Sequence, residues 1–388
     1  MAEIHCRHFT GYKPCGKSEA CERAHCRSYE SVHERILIVH LEALGAVLRS
    51  TSLLVAIKRK YPRSHITWVT KAPAQALLEN LPQIDRVLTV NAEDLIKLSC
   101  LRFDVAFVID KSLLASGILK NCEVSEVRGF RATSKGAIVP ANNEARELWE
   151  LGLSDHKKFF INQKSEQRLT HEALGLGEYH HDDYVVSLSP SELAAAQARR
   201  RIWSLHDRPV IGINTGASAV LPAKKLSIEG HRRLIETLLA DRRFEGAPIV
   251  LLGGPEDSER NLAIARGLPV IESPTQKGLR DGLVSVQACD LVFSGDSLGM
   301  HMAIGLKKWV VAWFGPTCAQ EIDLYGRGHK ILSKAECSPC WKRACGKDVM
   351  CYDQVDFQQV LQAMAEGLQW RTSSSKPRSQ EMFFSPSL

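Results

Sequence analysis

Asp296, Ser297 and His301 fall in one short stretch, GDSLGMH, directly after the apolar run LVFS. A helix opening there aims its first backbone N–H groups, and the positive end of its dipole, at whatever lies before it. That arrangement suits a diphosphate. Ser297, Gly299 and the amides up to Met300 would face phosphate, and Asp296 would accept from sugar or ribose hydroxyls. His301 would donate to a phosphate oxygen and help stabilise a departing nucleoside diphosphate. The alternative is that Asp296 or Ser297 merely caps the helix.

A second stretch, NTGAS (214–218), also ends an apolar run and precedes Lys224. Small residues such as Thr215, Gly216 and Ser218 let backbone approach a diphosphate, and a lysine there neutralises its charge. Two cysteine groups carry a different chemistry. Cys337, Cys340, Cys345 and Cys351 are spaced C-x₂-C-x₄-C-x₅-C. They suit either structural thiols or a tetrahedral Zn²⁺ or iron–sulfur site. Cys6, Cys15, Cys21 and Cys26, with His5, His8 and His25 nearby, lie in a segment rich in Gly, Pro and charge. Such a segment builds little core and is readily ordered by a metal, with free thiols as the other reading and disulfides disfavoured in a reducing cytosol. Cys100, Cys122 and Cys289 read as small core residues.

These residues need elements to hold them. ILIVH (36–40), HITWVT (65–70), IDRVLTV (84–90) and FDVAFVID (103–110) read as strands buried on both faces of a parallel sheet. Helical stretches separate them, such as the one from Val47 that Pro62 closes. The pattern blurs between about 130 and 205, where EARELWELGL reads as a helix and Ser189 or Ser191 caps another. It restarts with PVIGINTG, APIVLLGG, LPVIES, CDLVFSGD and KWVVAWFG. The expected class is α/β, with two Rossmann-like doubly wound domains facing a cleft and ligands at the carboxyl ends of the strands. The divisions are an N-terminal Cys-rich extension (1–33), domains at 34–200 and 201–355, a helix at 356–371 and a disordered tail at 372–388.

The chain has 388 residues, 44% of them hydrophobic and 24% charged, a composition that fits a globular protein rather than a disordered or membrane-spanning one. No apolar stretch is long enough to cross a bilayer, and the N-terminus lacks the apolar centre of a secretory signal. A cytoplasmic location follows. The net charge of +6 resides in small clusters such as KRK (58–60) and ARRR (198–201). These suit solvated helix faces or an anionic partner at a membrane surface, and no motif points to nucleic acid.

In order and spacing, ILIVHLEALGAVLRSTSLL, INTGAS…AKKLS, IVLLGGPED, GDSLGMHMAIGLKKWVVAWFGPT and CSPCWKRAC resemble the bacterial heptosyltransferases that act on lipopolysaccharide, over roughly 34–365. The resemblance implies a GT-B fold and an inverting glycosyltransferase needing no cofactor. Its C-terminal domain would bind an ADP-sugar donor, and its N-terminal domain a lipid-linked or anionic glycan acceptor. It puts His40, Gly45 and Arg49 on the acceptor side, Lys224 at the donor phosphate, and Glu256 at the ribose or base unless it is a plain helix N-terminal acid.

The sequence departs from the family at four places. The carboxylate that serves as base is replaced by Ala46, and loss of a general base typically costs about 10²–10⁴ in rate. Glu42 is the candidate for a relocated base, ahead of His40, with a solvent-facing carboxylate as the alternative. Leu298 stands where the family has glycine, Cys318 where it has an acid, and Leu226-Ser227 where it has Trp-Pro, while Lys225 is a near match. These changes suit an altered substrate or a silent sugar-nucleotide-binding protein.

Overall fold

The computed structural model describes residues 5–18, 21 and 26–374. The chain forms two units. The chain up to Ala194, with Lys277–Val284 and Thr317–Tyr325, makes the first. Ala195–Gln276, Ser285–Pro316 and the chain from Gly326 make the second. The change of unit, expected at 200/201, thus falls inside the helix Pro190–Trp203. That helix opens with a reciprocal cap: the Glu192 amide donates to Ser189 Oγ at 3.2 Å and the Ser189 amide to Glu192 Oε2 at 2.7 Å.

The first unit carries β1 (Arg35–Val39), β2 (His65–Thr70), β3 (Arg86–Thr89), β4 (Arg102–Val108), β5 (Glu123–Ala132) and β6 (Ile138–Pro140), in the order β3-β2-β1-β4-β5-β6. All pairs are parallel except β5 with β6. The second carries β7 (Ile211–Asn214), β8 (Ile249–Leu252), β9 (Ile271–Glu272), β10 (Leu291–Gly295), β11 (Trp309–Phe314) and β12 (Gly328–Leu332), in the order β12-β11-β10-β7-β8-β9, all parallel. In each sheet the chain winds outward on one side of the first strand and then returns to its other side. That reversal opens a crevice at the carboxyl ends of β1 and β4, and of β7 and β10.

Alternation along the strands fills both faces of the first sheet. Ile36, Ile38, Trp68 and Phe107 pack with Val47, Leu54 and Ile57, while Leu37, Val39, Ala106 and Val108 pack with Leu98, Ala115 and Ile118. Each such large side chain contributes roughly 1.5–3 kcal/mol when fully buried. In the second unit Ile211, Ile213, Phe293 and Trp313 share a core with Leu234, Leu238, Val360 and Met364.

Several elements differ from expectation. β5 and β12 carry too many polar residues to read as buried strands, and β6 is only three residues long and ends in proline. The helix expected from Val47 is two, Leu44–Ser50 and Leu53–Lys60. Three successive hydroxyls bond back to the preceding turn at this break: Ser50 Oγ to Ala46 O, Thr51 Oγ1 to Leu48 O and Ser52 Oγ to Arg49 O, at 2.7–3.0 Å. Such bonds compete with the helical ladder. The C-terminal helix runs Phe357–Ser374, so 372–374 belong to it, and 375–388, like His25, lie outside the described residues. Among the described residues no helix is long and apolar enough to cross a membrane.

Candidate active site

In the second unit the crevice is framed by Asn214 at the end of β7 and by Gly295–Ser297 after β10. Asn214 Nδ2 donates to Ser297 Oγ at 3.0 Å, Ser294 Oγ at 3.1 Å and Gly216 O at 2.9 Å, tying the two strand ends together. Ser297 is the N-cap of the helix Leu298–Gly305, and its Oγ accepts from the Met300 amide. That capping bond takes up the Met300 N–H expected to face phosphate, and the Met300 side chain is buried. The amides of Leu298 and Gly299 open the helix, where no carbonyl of the helix can receive them. Gly299 is required by space: a Cβ there would lie 2.4 Å from Asn214 Oδ1.

Lys224 Nζ donates to Asp296 Oδ2 at 2.9 Å, both side chains being mostly buried. His301 Nε2 stands 4.0 Å from Asp296 Oδ1 and the residue is 4% exposed. Asp296 is therefore held between a lysine and an imidazole. The Lys224 ammonium also lies 5.4 Å from the centre of the Trp341 ring. Trp341 belongs to the cysteine-rich loop, whose Cys340 and Trp341 amides both donate to Pro316 O, at 3.1 and 2.8 Å. The loop thus sets an aromatic face against Lys224, a contact the sequence did not reveal.

Thr215 is fully buried, its Oγ1 2.5 Å from Asn261 Oδ1, whereas Ser218 is exposed and its Oγ accepts from the Val220 amide. Glu256 is exposed and its neighbour Asp257 is buried. Asp257 Oδ2 accepts from the Gly254 amide at 3.0 Å, and Lys225 lies 3.7 Å from Oδ1. Burial raises this carboxyl against the opposing effects of the Gly254 amide and Lys225. A Cβ on Gly216 would fall 2.0 Å from Asp257 Oδ2. Asp257 shapes this loop from within, while Glu256, expected at the ribose or base, stands exposed beside it.

In the first unit the crevice lies at the ends of β1 and β4. Gly45 and Ala46 are in the first turn of the helix Leu44–Ser50, and Ala46 offers no proton acceptor. The Glu42 side chain is 63% exposed and ion-paired to Lys71 at 2.7 Å. His40 is buried, and burial, with the charges of Arg49 and Lys111, pushes its imidazole down to about 3. It is neutral at physiological pH and too weak a base to hold a proton there. Arg49 lies 3.8 Å from Glu166, and Lys158 lies 3.5 Å from Glu321.

A carboxylate missed in the sequence stands at the same strand end. Asp110 follows β4, and its Oδ2 accepts from the Leu41 amide. Burial pushes its carboxyl up to about 6, with Glu42 adding to the rise and the Leu41 amide, Lys111 and Lys71 opposing it. An acid at the carboxyl end of a central strand was the available signal.

The family model for glycosyltransferase family 9 (heptosyltransferase) matches residues 98–350, more than half of the chain. The chain belongs to this family. Lipooligosaccharide heptosyltransferase 2 of Haemophilus ducreyi is 23% identical over 308 residues, which cover 73% of this chain and 84% of the relative. Among solved structures, a family 9 glycosyltransferase from Veillonella parvula superposes with a TM-score of 0.68 at 19% identity, over 88% of this chain and 99% of the other. The ADP-heptose lps heptosyltransferase II of E. coli gives 0.63 at 18% identity, over 87% and 99%. The fold is GT-B, with two Rossmann-like parallel-sheet domains, and the protein is a glycosyltransferase.

The remaining departures of this glycosyltransferase can now be placed. Cys318 is buried. Leu298 is the first residue of the helix that Ser297 caps. None of the twelve cysteines is in a disulfide, and Cys100 is exposed rather than in the core. Burial pushes the Cys351 thiol up to about 11, with Cys340, Cys337 and Cys345 near enough to contribute. Among the described residues no group of three or more His, Cys, Asp or Glu side chains is arranged to hold a metal ion.

Proposed function

We infer that this glycosyltransferase moves a heptose-like sugar, with inversion, from an ADP-sugar to a lipopolysaccharide or another surface-glycan acceptor. The observation that carries the reading is the phosphate crevice of the second unit. There Lys224, the Leu298 and Gly299 amides and the Trp341 face meet at the end of β10. Lys224 and the helix start take the charge that develops on the diphosphate as the glycosidic C–O bond breaks. Asp296 holds Lys224 in place.

The acceptor hydroxyl must lose its proton as its oxygen attacks the anomeric carbon. Asp110 suits that role better than Glu42. Its raised carboxyl is matched to proton transfer near neutrality, whereas Glu42 is solvated and paired. Arg49, Lys111 and Lys158 gather around Glu166, and together they suit an anionic acceptor. ADP-heptose and lipopolysaccharide appear in the names of the proteins to which the chain is similar, which supports the choice of substrates. An anionic lipid-linked acceptor fits a cytoplasmic enzyme working peripherally at the inner membrane, with the net positive charge favouring the encounter.

The test is thermal stabilisation by ADP, UDP, GDP and ADP-heptose, followed by transfer assays on truncated lipopolysaccharide. Selective stabilisation by ADP and ADP-heptose, lost in Asp296→Ala, is expected. Stabilisation by UDP or GDP instead would overturn the donor. A nucleotide response without transfer to any glycan would favour the silent binding protein that Ala46 suggests.

A further inference from the structure

We propose that Cys6, Cys15, Cys21 and Cys26 form a tetrathiolate site for a single transition-metal ion, Zn²⁺ or iron, that orders the N-terminal extension. The four cysteines come from well-separated positions, yet all line one cavity, together with Phe9 and Tyr29. The cavity measures about 10 Å³, room for one water-sized occupant and too small for an iron–sulfur cluster.

The backbone already brings the ends of the segment together. Cys6 pairs with Ser31 in an antiparallel bridge, the Arg7 amide donates to Glu30 O at 2.8 Å and the Val32 amide to His5 O at 3.1 Å. Cys6 and Cys26 each begin a tight turn, their carbonyls accepting from the Phe9 and Tyr29 amides. His8 also borders the cavity, but its Nε2 is 2.9 Å from Glu30 and 3.1 Å from Lys17. The four sulfurs are therefore the donor set, and a soft, all-sulfur set selects Zn²⁺ or iron over Mg²⁺ or Ca²⁺.

The energetic need is plain. Among the described residues before Ile36 none is buried, so the extension has no hydrophobic core of its own. It touches the rest of the first unit through polar contacts: Arg7 Nε to Asp85 Oδ1 at 2.5 Å, Arg7 Nη2 to Pro82 O at 2.7 Å and the His33 amide to Arg63 O at 3.0 Å. A chain this short and polar recovers its ordering entropy from a metal. The sulfurs surround the cavity without forming a finished ligand set. Each sulfur can swing about its own χ1 bond toward the cavity it lines. On binding, the thiols lose their protons to solvent and four metal–sulfur bonds form, with no change of oxidation state.

The experiment is elemental analysis of the full-length chain, purified anaerobically and also reconstituted separately with Zn²⁺ and Fe²⁺. It compares wild type, Cys6→Ser/Cys26→Ser, Cys21→Ser, and Cys337→Ser/Cys340→Ser. The N-terminal variants should lose about one ion per chain relative to wild type, while the C-terminal pair keeps that ion. Zinc will be colourless and iron will show thiolate charge-transfer absorption. Stripping the ion should speed proteolysis within the extension while ADP stabilisation persists, which separates this site from the proposed donor site. The proposal is overturned if neither metal binds to wild type, or if N-terminal variants that retain ADP stabilisation keep the full metal content.

Discussion

The Leu41 amide donates to Oδ2 of Asp110, linking the second residue past β1 to the second residue past β4 across 69 positions of sequence. This bond holds a carboxyl that burial has pushed up to about 6 at the strand end where Ala46 leaves the family without its acid. If Asp110 takes the acceptor's proton, Asp110→Asn should lower kcat by about 10²–10⁴ with little effect on ADP affinity. Glu42→Gln should cost less than tenfold. A steady-state comparison of the two variants decides between the carboxylates, and equal activity of Asp110→Asn and wild type would remove Asp110 from the chemistry.

The pH profile carries the same assignment. A base must be ionised, so kcat/KM should rise with pH and level off above about 6, and this limb should vanish in Asp110→Asn. The sign for stability is opposite. The folded-state value lies above the ordinary aspartate value, so this group favours the fold at low pH and loses that contribution as pH rises through about 6. Asp110→Asn should therefore melt no lower than wild type at pH 7.5 while being less active. A large fall in melting temperature would instead mark Asp110 as structural.

Ala46→Asp puts the family's acid back in the first turn of the helix Leu44–Ser50. Glu42 and Asp110 already bring two carboxylates to this strand end, so a third adds like-charge repulsion. The expected result is little gain in rate and an upward shift of the acid limb. A gain of a hundredfold or more would mean that the wild-type chain works without a base of its own.

The parallel strands were legible because each is a near-continuous apolar run, as in HITWVT, which became β2 unchanged. The polar strand β5 was not, because most of its side chains are exposed or only partly buried. Asp110 looked like the polar end of an apolar strand, and only the strand order that sets β4 beside β1 brings it to Leu41. Glu256 and Asp257 are neighbours in a single turn, Pro255–Asp257, and composition does not say which of them points inward. The Ser297 cap was readable, but its Asn214 partner depends on the pairing of β7 with β10.

Lys224→Ala should weaken ADP more than AMP. The variant removes a cation from the diphosphate and leaves Asp296, mostly buried, without its 2.9 Å partner. A hydrogen bond to a charged group contributes about 1.5–3 kcal/mol, or roughly a ten- to hundredfold loss in affinity. Calorimetry with the two nucleotides measures it. An equal loss for both would mean that Lys224 serves Asp296 alone.

Gly299→Ala tests how tightly the turn after β10, the proposed phosphate site, is built. The new methyl would meet Asn214 Oδ1 at 2.4 Å, so either the helix start or the Asn214 amide must move. Asn214 is the donor that fixes Ser297 Oγ, so its displacement reaches the cap and the first free amides together. Overpacking of this kind costs about 1–3 kcal/mol. Denaturation in urea should show that loss, and ADP stabilisation should fall with it. Gly346→Ala, which meets nothing within 4 Å, is the control and should change neither. A Gly299→Ala variant as stable and as responsive to ADP as wild type would mean that Asn214 turns aside freely and does not hold the turn.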